Sequence, residues 1–209
     1  MTNICVFGAD GRTGVEVVKD AVAKGHNVIA FIYDSRSAVN FDKKVKIICG
    51  NVLDYYAVVK AVENADAVIS VVGHIKDSDP RMQTKGITNI IKAMKKSFVP
   101  RLISLTGTGV RIEGDKASFI DLILNFIIKF IDPERIKDGI EHAEEIKKSD
   151  LDWTILRVLK LIDKVSDKID YKLTEHGPVE PTTSRSKVAK IMVDLATSDK
   201  FINKMPVSS

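Results

Sequence analysis

Short apolar runs alternate along the chain with longer stretches in which apolar residues recur every three or four positions. The run at 67–72 is continuous and apolar, which is typical of a parallel strand covered on both faces. The longer stretches have the spacing of amphipathic helices. We therefore expect strands at 4–7, 27–33, 45–49, 67–72, 101–106 and 153–157. We expect helices at 15–23, 55–62, 83–96, 118–131 and 133–148, and a last helix that Ser184 or Ser186 caps and that ends near Ala196.

This alternation of strands and helices predicts an α/β fold. Right-handed crossovers between parallel strands place helices on both faces of the sheet. We expect a Rossmann-type doubly wound parallel sheet in a three-layer αβα sandwich. A single domain is expected over 1–209, with small substrate-side elements at about 110–135 and 158–183, including a short strand at 169–173. In such a sheet the ligand site lies at the carboxyl ends of the strands, near the switch point.

The first apolar run leads directly into three glycines, Gly8, Gly11 and Gly14. Glycine allows a tight turn, a close approach of the backbone to a ligand, and close packing of the next helix on the strand. The N–H groups at the start of that helix attract an anion. The spacing is GxxGxxG, not the commoner GxGxxG, but a complete βαβ unit surrounds it. The loop therefore predicts a cradle for the pyrophosphate of a dinucleotide.

The residues after the second strand bear on the choice between NAD and NADP. Asp34 stands where an acidic residue would bind the ribose 2′-hydroxyl of NAD and repel a 2′-phosphate. Arg36 and Arg12 are cations that favour NADP. The segment at 34–37, Asp-Ser-Arg-Ser, resembles a helix start, so Asp34 is interpreted as a cap turned away from the cofactor. We therefore expect NADP(H) to be preferred over NAD(H).

Composition narrows the class of protein. With 44% hydrophobic and 29% charged residues, the 209-residue chain has the make-up of an ordinary globular domain. The formal charge of +4 is spread along the sequence, so neither a nucleic-acid nor a membrane partner is expected. No cysteine or histidine recurs at ligand spacing, so no metal site is expected. Cys5 and Cys49 are assigned to buried strands, and the lack of an apolar leader predicts a cytoplasmic protein.

The stretch at 119–131 is almost entirely apolar and is interrupted only by Asp121, Asn125 and Lys129. Their four-residue spacing places one narrow polar stripe on an otherwise apolar helix. The helix is too short to span a bilayer core of about 30 Å. Three interpretations stay open: a cap over the substrate pocket, a dimer interface, or ordinary core packing. The protein is accordingly expected to be a monomer or a homodimer.

Four blocks of sequence carry a family resemblance. They are Gly-Ala-Asp-Gly-Arg-Thr-Gly at 8–14, Gly-Asn-Val-Leu-Asp at 50–54, Asp-Ala-Val-Ile-Ser-Val-Val-Gly at 66–73 and Leu-Asp-Trp-Thr-Ile-Leu-Arg at 151–157. Together they resemble the atypical short-chain dehydrogenase/reductases. Within that class the chain looks like the NAD(P)H-binding group, which includes NmrA-like proteins and the flavin reductase/biliverdin-IXβ reductase. The similarity extends over nearly the whole chain.

The resemblance implies where each part of the cofactor would lie. The glycine loop would hold the phosphates, Asn51 and Val52 would border the adenine, and Thr106 and Gly107 would flank the nicotinamide. Tyr33 departs from the pattern, because relatives often carry an arginine there. The cofactor-binding residues expected are Gly8, Asp10, Gly11, Arg12, Thr13, Gly14, Tyr33, Asp34, Arg36, Asn51, Val52, Gly73, His74, Thr106, Gly107, Arg157 and Val158.

The catalytic group is harder to assign. Most active short-chain dehydrogenases use a tyrosine four residues before a lysine, and we expect an enzyme without this Tyr-x-x-x-Lys pair. Lys160, within an apolar segment, is the candidate catalytic residue, since burial beside the nicotinamide would lower the pKa of its amine. Two alternatives stay open for Lys160: binding of a cofactor phosphate, or a side chain that simply reaches solvent. His74 is a candidate for ribose or substrate contact, with a solvated loop as the alternative. His142, among charged residues, is expected on a solvent-facing surface.

Two functions remain open at this point. The first is an NAD(P)H-dependent oxidoreductase that transfers hydride to a small, planar acceptor of the flavin or quinone kind. Such a reaction needs little acid catalysis, because the cofactor supplies the chemistry and the protein positions two rings. The second is a non-catalytic NmrA-like sensor that binds the nicotinamide nucleotide and passes its redox state to a partner protein.

Overall fold

The computed structural model describes residues 1–75, 78–163 and 170–209, and every element named here lies within them. The strands are β1 (Asn3–Phe7), β2 (Asn27–Ile32), β3 (Lys46–Cys49), β4 (Ala67–Ser70), β5 (Arg101–Gly107), β6 (Asp152–Val158), β7 (Leu161–Ile162), β8 (Leu173–Thr174), β9 (Thr183–Ser184) and β10 (Val207–Ser208). The main sheet has the order β3-β2-β1-β4-β5-β6-β10-β8, and β7 pairs with β9 beside it. Its pairings are parallel except that between β10 and β8.

The helices cover both faces of the sheet. They are α1 (Arg12–Ala23), α2 (Tyr55–Val62), α3 (Met82–Lys96), α4 (Phe119–Ile131), α5 (Pro133–Lys147) and α6 (Arg185–Ala196). On one face α1 and α6 pack together, and Val17 and Met192 belong to the same buried cluster. On the other face α2, α3 and α5 contribute Val58, Ile90 and Ile146 to a second cluster. The expected doubly wound three-layer fold is confirmed.

The strand register brings the ligand-binding loops to one edge of the sheet. Phe7, the last residue of β1, lies opposite Phe31 of β2 on one side and Ser70 of β4 on the other. Strands β2 and β3 are therefore added on one side of β1. The chain then crosses back over the sheet, and β4 is added on the other side of β1. This reversal is the switch point at which ligands bind in doubly wound folds, so the glycine loop after β1 lies at its centre.

Some element boundaries differ from the sequence prediction. Helix α1 begins at Arg12, three residues earlier than expected, so the helix start lies inside the glycine loop. Cys5 is buried as predicted, but Cys49 is exposed because β3 is the edge strand of the sheet. The strand expected at 169–173 lies partly outside the described residues, and the described part forms β8 at Leu173–Thr174.

Helix α4 packs with its polar side inward. Of its thirteen residues only Asp121 is buried, and its large apolar residues are at least partly exposed. This excludes ordinary core packing for the stretch at 119–131.

Among the described residues no helix is long and apolar enough to cross a membrane.

Candidate active site

Two adjoining cavities open at the carboxyl edge of the main sheet, and together they form the cleft. The larger has a volume of about 630 Å³ and the smaller about 390 Å³. Both volumes fall in the range of about 300–1,000 Å³ that is usual for ligand sites. Gly11, Val71, Val72, Gly73 and Ile75 line both cavities. One extended ligand can therefore reach from one cavity into the other.

The glycine loop lies between the two cavities. Gly8 has a φ of +75°, a conformation that favours glycine. A Cβ on Gly14 would overlap the carbonyl oxygen of Gly8 and the backbone of Ala9. Gly11 is the N-cap of α1, and among the described residues no side chain accepts a hydrogen bond from the N–H groups of the first turn. The loop is thus a backbone cradle with free donors, which fits a pyrophosphate.

The smaller cavity contains the residues expected around the adenosine. Asp10 Oδ2 accepts hydrogen bonds from the backbone N–H groups of Tyr33 (2.8 Å) and Asp34 (2.9 Å) and so fixes the end of β2. Asn51 Oδ1 accepts from the Leu53 N–H at 2.9 Å and keeps a second lone pair for a ligand. The predicted residues that line this cavity are Gly8, Asp10, Gly11, Tyr33, Asn51, Val52 and Gly73.

Asp34 and Arg36 do not line either cavity. Asp34 caps a short 3₁₀ helix (Ser35–Asn40) by accepting from the Arg36 N–H, as the sequence predicted. The Arg36 guanidinium also donates to the Asp34 carboxylate at 2.7 Å. These hydrogen bonds lower the pKa of Asp34. Both residues are therefore paired with each other on the surface outside the two cavities, and the cofactor contacts expected of them stay a prediction.

The larger cavity collects the residues expected around the nicotinamide. Arg12 lies at its rim in an ion pair with Asp163 (Nη1 to Oδ2, 3.3 Å), and both side chains are mostly exposed. Such an exposed pair contributes about 0–1 kcal/mol, so Arg12 can turn to a phosphate at little cost. The predicted residues that line this cavity are Gly11, Arg12, Thr13, Gly14, Gly73, His74, Thr106, Gly107, Val158 and Lys160.

Lys160 lies at the cavity but is exposed. The expectation of a buried amine beside the nicotinamide is therefore wrong. Strand β6 ends at Val158, so the chain has left the sheet at Lys160 and its side chain reaches solvent despite the apolar neighbours.

Arg157, expected to bind cofactor, lies outside the cleft. Its side chain is 1% exposed and points away from Val158, because successive residues of a strand face opposite sides. The guanidinium donates to the Asp115 carboxylate and to the carbonyl oxygens of Met205 (2.8 Å) and Glu175 (2.7 Å). Burial raises the pKa of Asp115, but hydrogen bonds from Arg157 outweigh this and leave it below its usual value. Arg157 therefore holds the C-terminal segment to the sheet.

His74 occupies the larger cavity in contact with a buried carboxylate. Its Nε2 lies 2.9 Å from Oδ2 of Asp138, whose side chain is 1% exposed. The N–H direction is off the line between these atoms, so the contact is close but not a linear hydrogen bond. Asp138 also accepts from the backbone N–H groups of Gln83 (2.9 Å) and Thr84 (3.0 Å) at the start of α3. The sequence analysis considered a ribose or substrate contact and a solvated loop for His74. It did not identify Asp138, the carboxylate that lies beside the ring.

His142 is buried, contrary to the expectation of a solvent-facing position. It is 3% exposed, and its Nε2 lies 3.0 Å from Ser104 Oγ of β5. The charged neighbours in sequence lie on the outer side of α5, whereas His142 follows Asp138 by one turn on the inner side. Burial lowers the pKa of His142 to about 4, so the ring is neutral in the folded protein at pH 7.

The free energy of unfolding is expected to fall as the pH falls from about 6.5 to 4. Below pH 6.5 His142 takes up a proton in the unfolded chain but not in the folded one, whose pKa is about 4. The loss amounts to about 3 kcal/mol over this window. Urea unfolding at several pH values measures it, with His142→Gln as the control that should show a flatter dependence. Equal slopes for the two proteins would contradict the assignment.

Sequence reasoning missed the wall of the larger cavity that α4 and α5 provide. Its members come from two helices whose inner sides could not be identified before the packing was known. They are Asn125, Ile128, Arg135, Ile136 and Gly139. A Cβ added to Gly139 of α5 would lie 3.5 Å from Oγ1 of Thr106 in β5. Helix α5 therefore approaches the end of β5 closely.

One Tyr-x-x-x-Lys pair is present in the sequence, at Tyr56 and Lys60. The expectation that no tyrosine has this spacing is therefore wrong. Tyr56 is 81% exposed on α2 and does not line the cleft. The described tyrosine that does line it, Tyr33, is followed four residues later by Ser37. The pair consequently has no place in the chemistry of the cleft.

Comparisons with known proteins agree with this site. Residues 8–199 match the model of a protein family described as NAD(P)H-binding. The chain is also 30% identical over 105 residues to phenylcoumaran benzylic ether reductase PT1 from Pinus taeda, a match that covers 46% of this chain and 32% of that protein. A similar match to reductase IRL1 from Ginkgo biloba covers 47% of this chain and 35% of that one. The chain thus spans about a third of the length of these relatives.

Solved structures show the same fold at lower identity. A short-chain dehydrogenase/reductase from Veillonella parvula in complex with NADP has a TM-score of 0.81 and 19% identity, over 100% of this chain and 94% of that one. The anaerobillin reductase ChuY from Escherichia coli O157:H7 has a TM-score of 0.80 and 20% identity, over 99% and 97%. The family model covers most of the chain, including the glycine loop and both cavities. The chain therefore belongs to the NAD(P)H-binding family, as its resemblance to the atypical short-chain dehydrogenase/reductases predicted.

Proposed function

We propose that this protein is an NAD(P)H-dependent reductase that passes hydride to a small, planar acceptor of the flavin or quinone kind. The observation that carries the proposal is the larger cavity, which extends past Thr106 and Gly107 to a wall from α4 and α5 that includes the apolar side chains of Ile128 and Ile136. That space adjoins the place where the nicotinamide would lie. Ile128 and Ile136 give it the apolar surface against which a flat ring can pack. The reductases named among the relatives support the same reaction class.

The cofactor we propose is NADP(H) in preference to NAD(H), and its phosphates would be held by the glycine loop. When bound, the reduced nicotinamide supplies the hydride. Asp34 caps the 3₁₀ helix and lines neither cavity, which favours a cofactor whose ribose carries no contact from this carboxylate. Arg12 is exposed at the rim of the cleft and is available to a phosphate. The two cysteines are free thiols, which supports action in the reducing cytoplasm.

The proton that must accompany hydride comes, on this proposal, from His74. Reduction of a flavin or quinone by NAD(P)H consumes one hydride and one proton and yields the oxidised nucleotide and the reduced acceptor. An imidazole ring nitrogen can carry a proton and release it to a bound molecule. Nε2 lies beside the Asp138 carboxylate, and His74 lines the larger cavity, so Nδ1 is the nitrogen proposed to meet the acceptor. The alternative donor is Lys160, which would deliver its proton from the rim.

Steady-state oxidation of NADPH and NADH, followed optically with flavin mononucleotide or simple quinones as acceptors, tests the function. We expect turnover, with a higher kcat/KM for NADPH. A tenfold preference corresponds to about 1.4 kcal/mol, which one guanidinium contact with a 2′-phosphate can supply. Tight binding of either nucleotide without turnover would instead favour the redox-sensor function. Equal kcat/KM values would overturn the cofactor preference alone.

A further inference from the structure

Helix α4 is anchored to the body of the protein by hydrogen bonds on its most buried side. Asp121 accepts hydrogen bonds from Thr108 Oγ1 (2.7 Å) and Arg111 Nη1 (2.6 Å). Asn125 Nδ2 donates to Thr108 Oγ1 at 3.0 Å. A rotation of α4 that buried its apolar side would break these hydrogen bonds and leave the buried hydroxyl of Thr108 without its partners. The helix is therefore fixed with its apolar side outward.

That outer side has the periodicity of a helix-packing face. Its residues follow one another at intervals of three and four, the spacing that lines up side chains along one side of a helix. The most exposed are aromatic, with Phe119 at 77%, Phe126 at 72% and Phe130 at 86% exposure. The complete stripe is Phe119, Leu122, Ile123, Phe126, Ile127 and Phe130.

The area of this surface is that of a stable protein interface. The six residues of the stripe are each at least 41% exposed. Taking 150–250 Å² for a large side chain, together they expose on the order of 700 Å². The largest apolar patch on a typical monomer is about 300–600 Å². Each partner of a stable complex contributes about 800 Å², so one copy of this surface against another suffices for a dimer.

The charges around the stripe favour a second copy of the chain over a lipid surface. Lys129 and Lys137 are offset by Asp132 and Glu134 in the same part of the chain. An interfacial membrane helix is rich in lysine and arginine beside its apolar face, and an anionic bilayer selects clusters of such residues. The mixed charges around α4 instead allow like surfaces to meet without net repulsion.

We propose that α4 is the contact surface of a homodimer, in which the stripe of one copy packs against the stripe of the other about a two-fold axis. The dimer also bears on the cleft. Asn125 and Ile128 of α4 line the larger cavity, so the partner would press on the outside of a helix whose inside faces the acceptor. The proposal depends on α4 alone and stands whether or not the acceptor is a flavin or a quinone.

Sedimentation equilibrium of the whole chain over a range of micromolar concentrations tests the dimer. The wild-type protein is expected to be dimeric, and Phe126→Glu to raise the dimer dissociation constant by at least about thirtyfold, as loss of an interface hot spot of about 2 kcal/mol does. The matched control is Phe98→Glu, the same change at a phenylalanine that is 92% exposed at the end of α3. It should leave the dissociation constant unchanged.

Phe130→Glu is a second variant at an exposed position of the stripe. Phe126→Glu and Phe130→Glu are both expected to stay folded because neither side chain is buried, and circular dichroism checks this. A wild-type protein that is monomeric at all concentrations would overturn the proposal, as would a dimer that neither variant weakens. A wild-type monomer that sediments with vesicles of phosphatidylcholine and phosphatidylglycerol would overturn the dimer. If the Phe126→Glu variant did not sediment with the same vesicles, the surface would be assigned to lipid.

Discussion

Replacing Gly14 by alanine is expected to lower the free energy of unfolding by about 3 kcal/mol and to remove nucleotide binding, because the added methyl forces α1 away from β1. The Cβ would overlap backbone atoms of Gly8 and Ala9, and backbone cannot move aside as a flexible side chain can. Displacing the first turn of α1 moves the N–H donors that face the phosphates. Urea unfolding measures the first effect, and calorimetric titration with NADPH measures the second.

Gly73→Ala is the matched control for this substitution. Gly73 also lies in the cleft and lines both cavities, but a Cβ there has no heavy atom within 4 Å. The free energy of unfolding of this variant should stay within about 0.5 kcal/mol of the wild type. If Gly14→Ala is as stable as Gly73→Ala and binds NADPH normally, then α1 does not need the close approach and the pyrophosphate cradle is wrongly placed.

Replacing His74 by asparagine is expected to lower kcat for acceptor reduction about a hundredfold, the lower end of the usual gain from a positioned acid. The KM for NADPH should change little, because the glycine loop and not His74 holds the phosphates. Steady-state kinetics at pH 7 give both values. The deficit should shrink at lower pH, since solvent acid then replaces the missing donor.

Two further variants distinguish the roles of the neighbouring groups. Asp138→Asn keeps the shape of the buried side chain but removes the charge beside His74, so it should change the pH dependence of kcat more than the KM for NADPH. Lys160→Met tests the alternative donor at the rim. A hundredfold loss in Lys160→Met together with normal activity in His74→Asn would transfer the role to Lys160 and overturn the assignment to His74.

Much of the fold and the conformation of the glycine loop could be predicted from local sequence. The loop depends on glycine at Gly8 and Gly14, where a side chain would clash whatever the rest of the protein does. Continuous apolar runs predicted the strands because a parallel strand buried on both faces needs them. The Asp34 cap was predictable for the same reason, since its acceptor and the Arg36 N–H are two residues apart.

The acceptor side of the cleft could not be predicted in this way. Asp138 meets the N–H groups of α3 across more than fifty residues of sequence, and only the packing of α5 against α3 brings them together. His142 is surrounded by charges in sequence but lies on the inner side of its helix. Arg157 precedes a cavity residue by one position and therefore faces away from the cavity.

The sequence by itself determined the order of strands and helices and the tight backbone turn of the glycine loop, because both depend on residues close together in the chain. Tertiary structure alone decided that α4 presents its polar stripe inward, that a carboxylate lies behind His74, and that Asp34 and Arg36 pair outside the cleft. Hydrophobic periodicity shows which residues share a side of a helix. It does not show which side faces the protein, since that depends on the partners that distant parts of the chain provide.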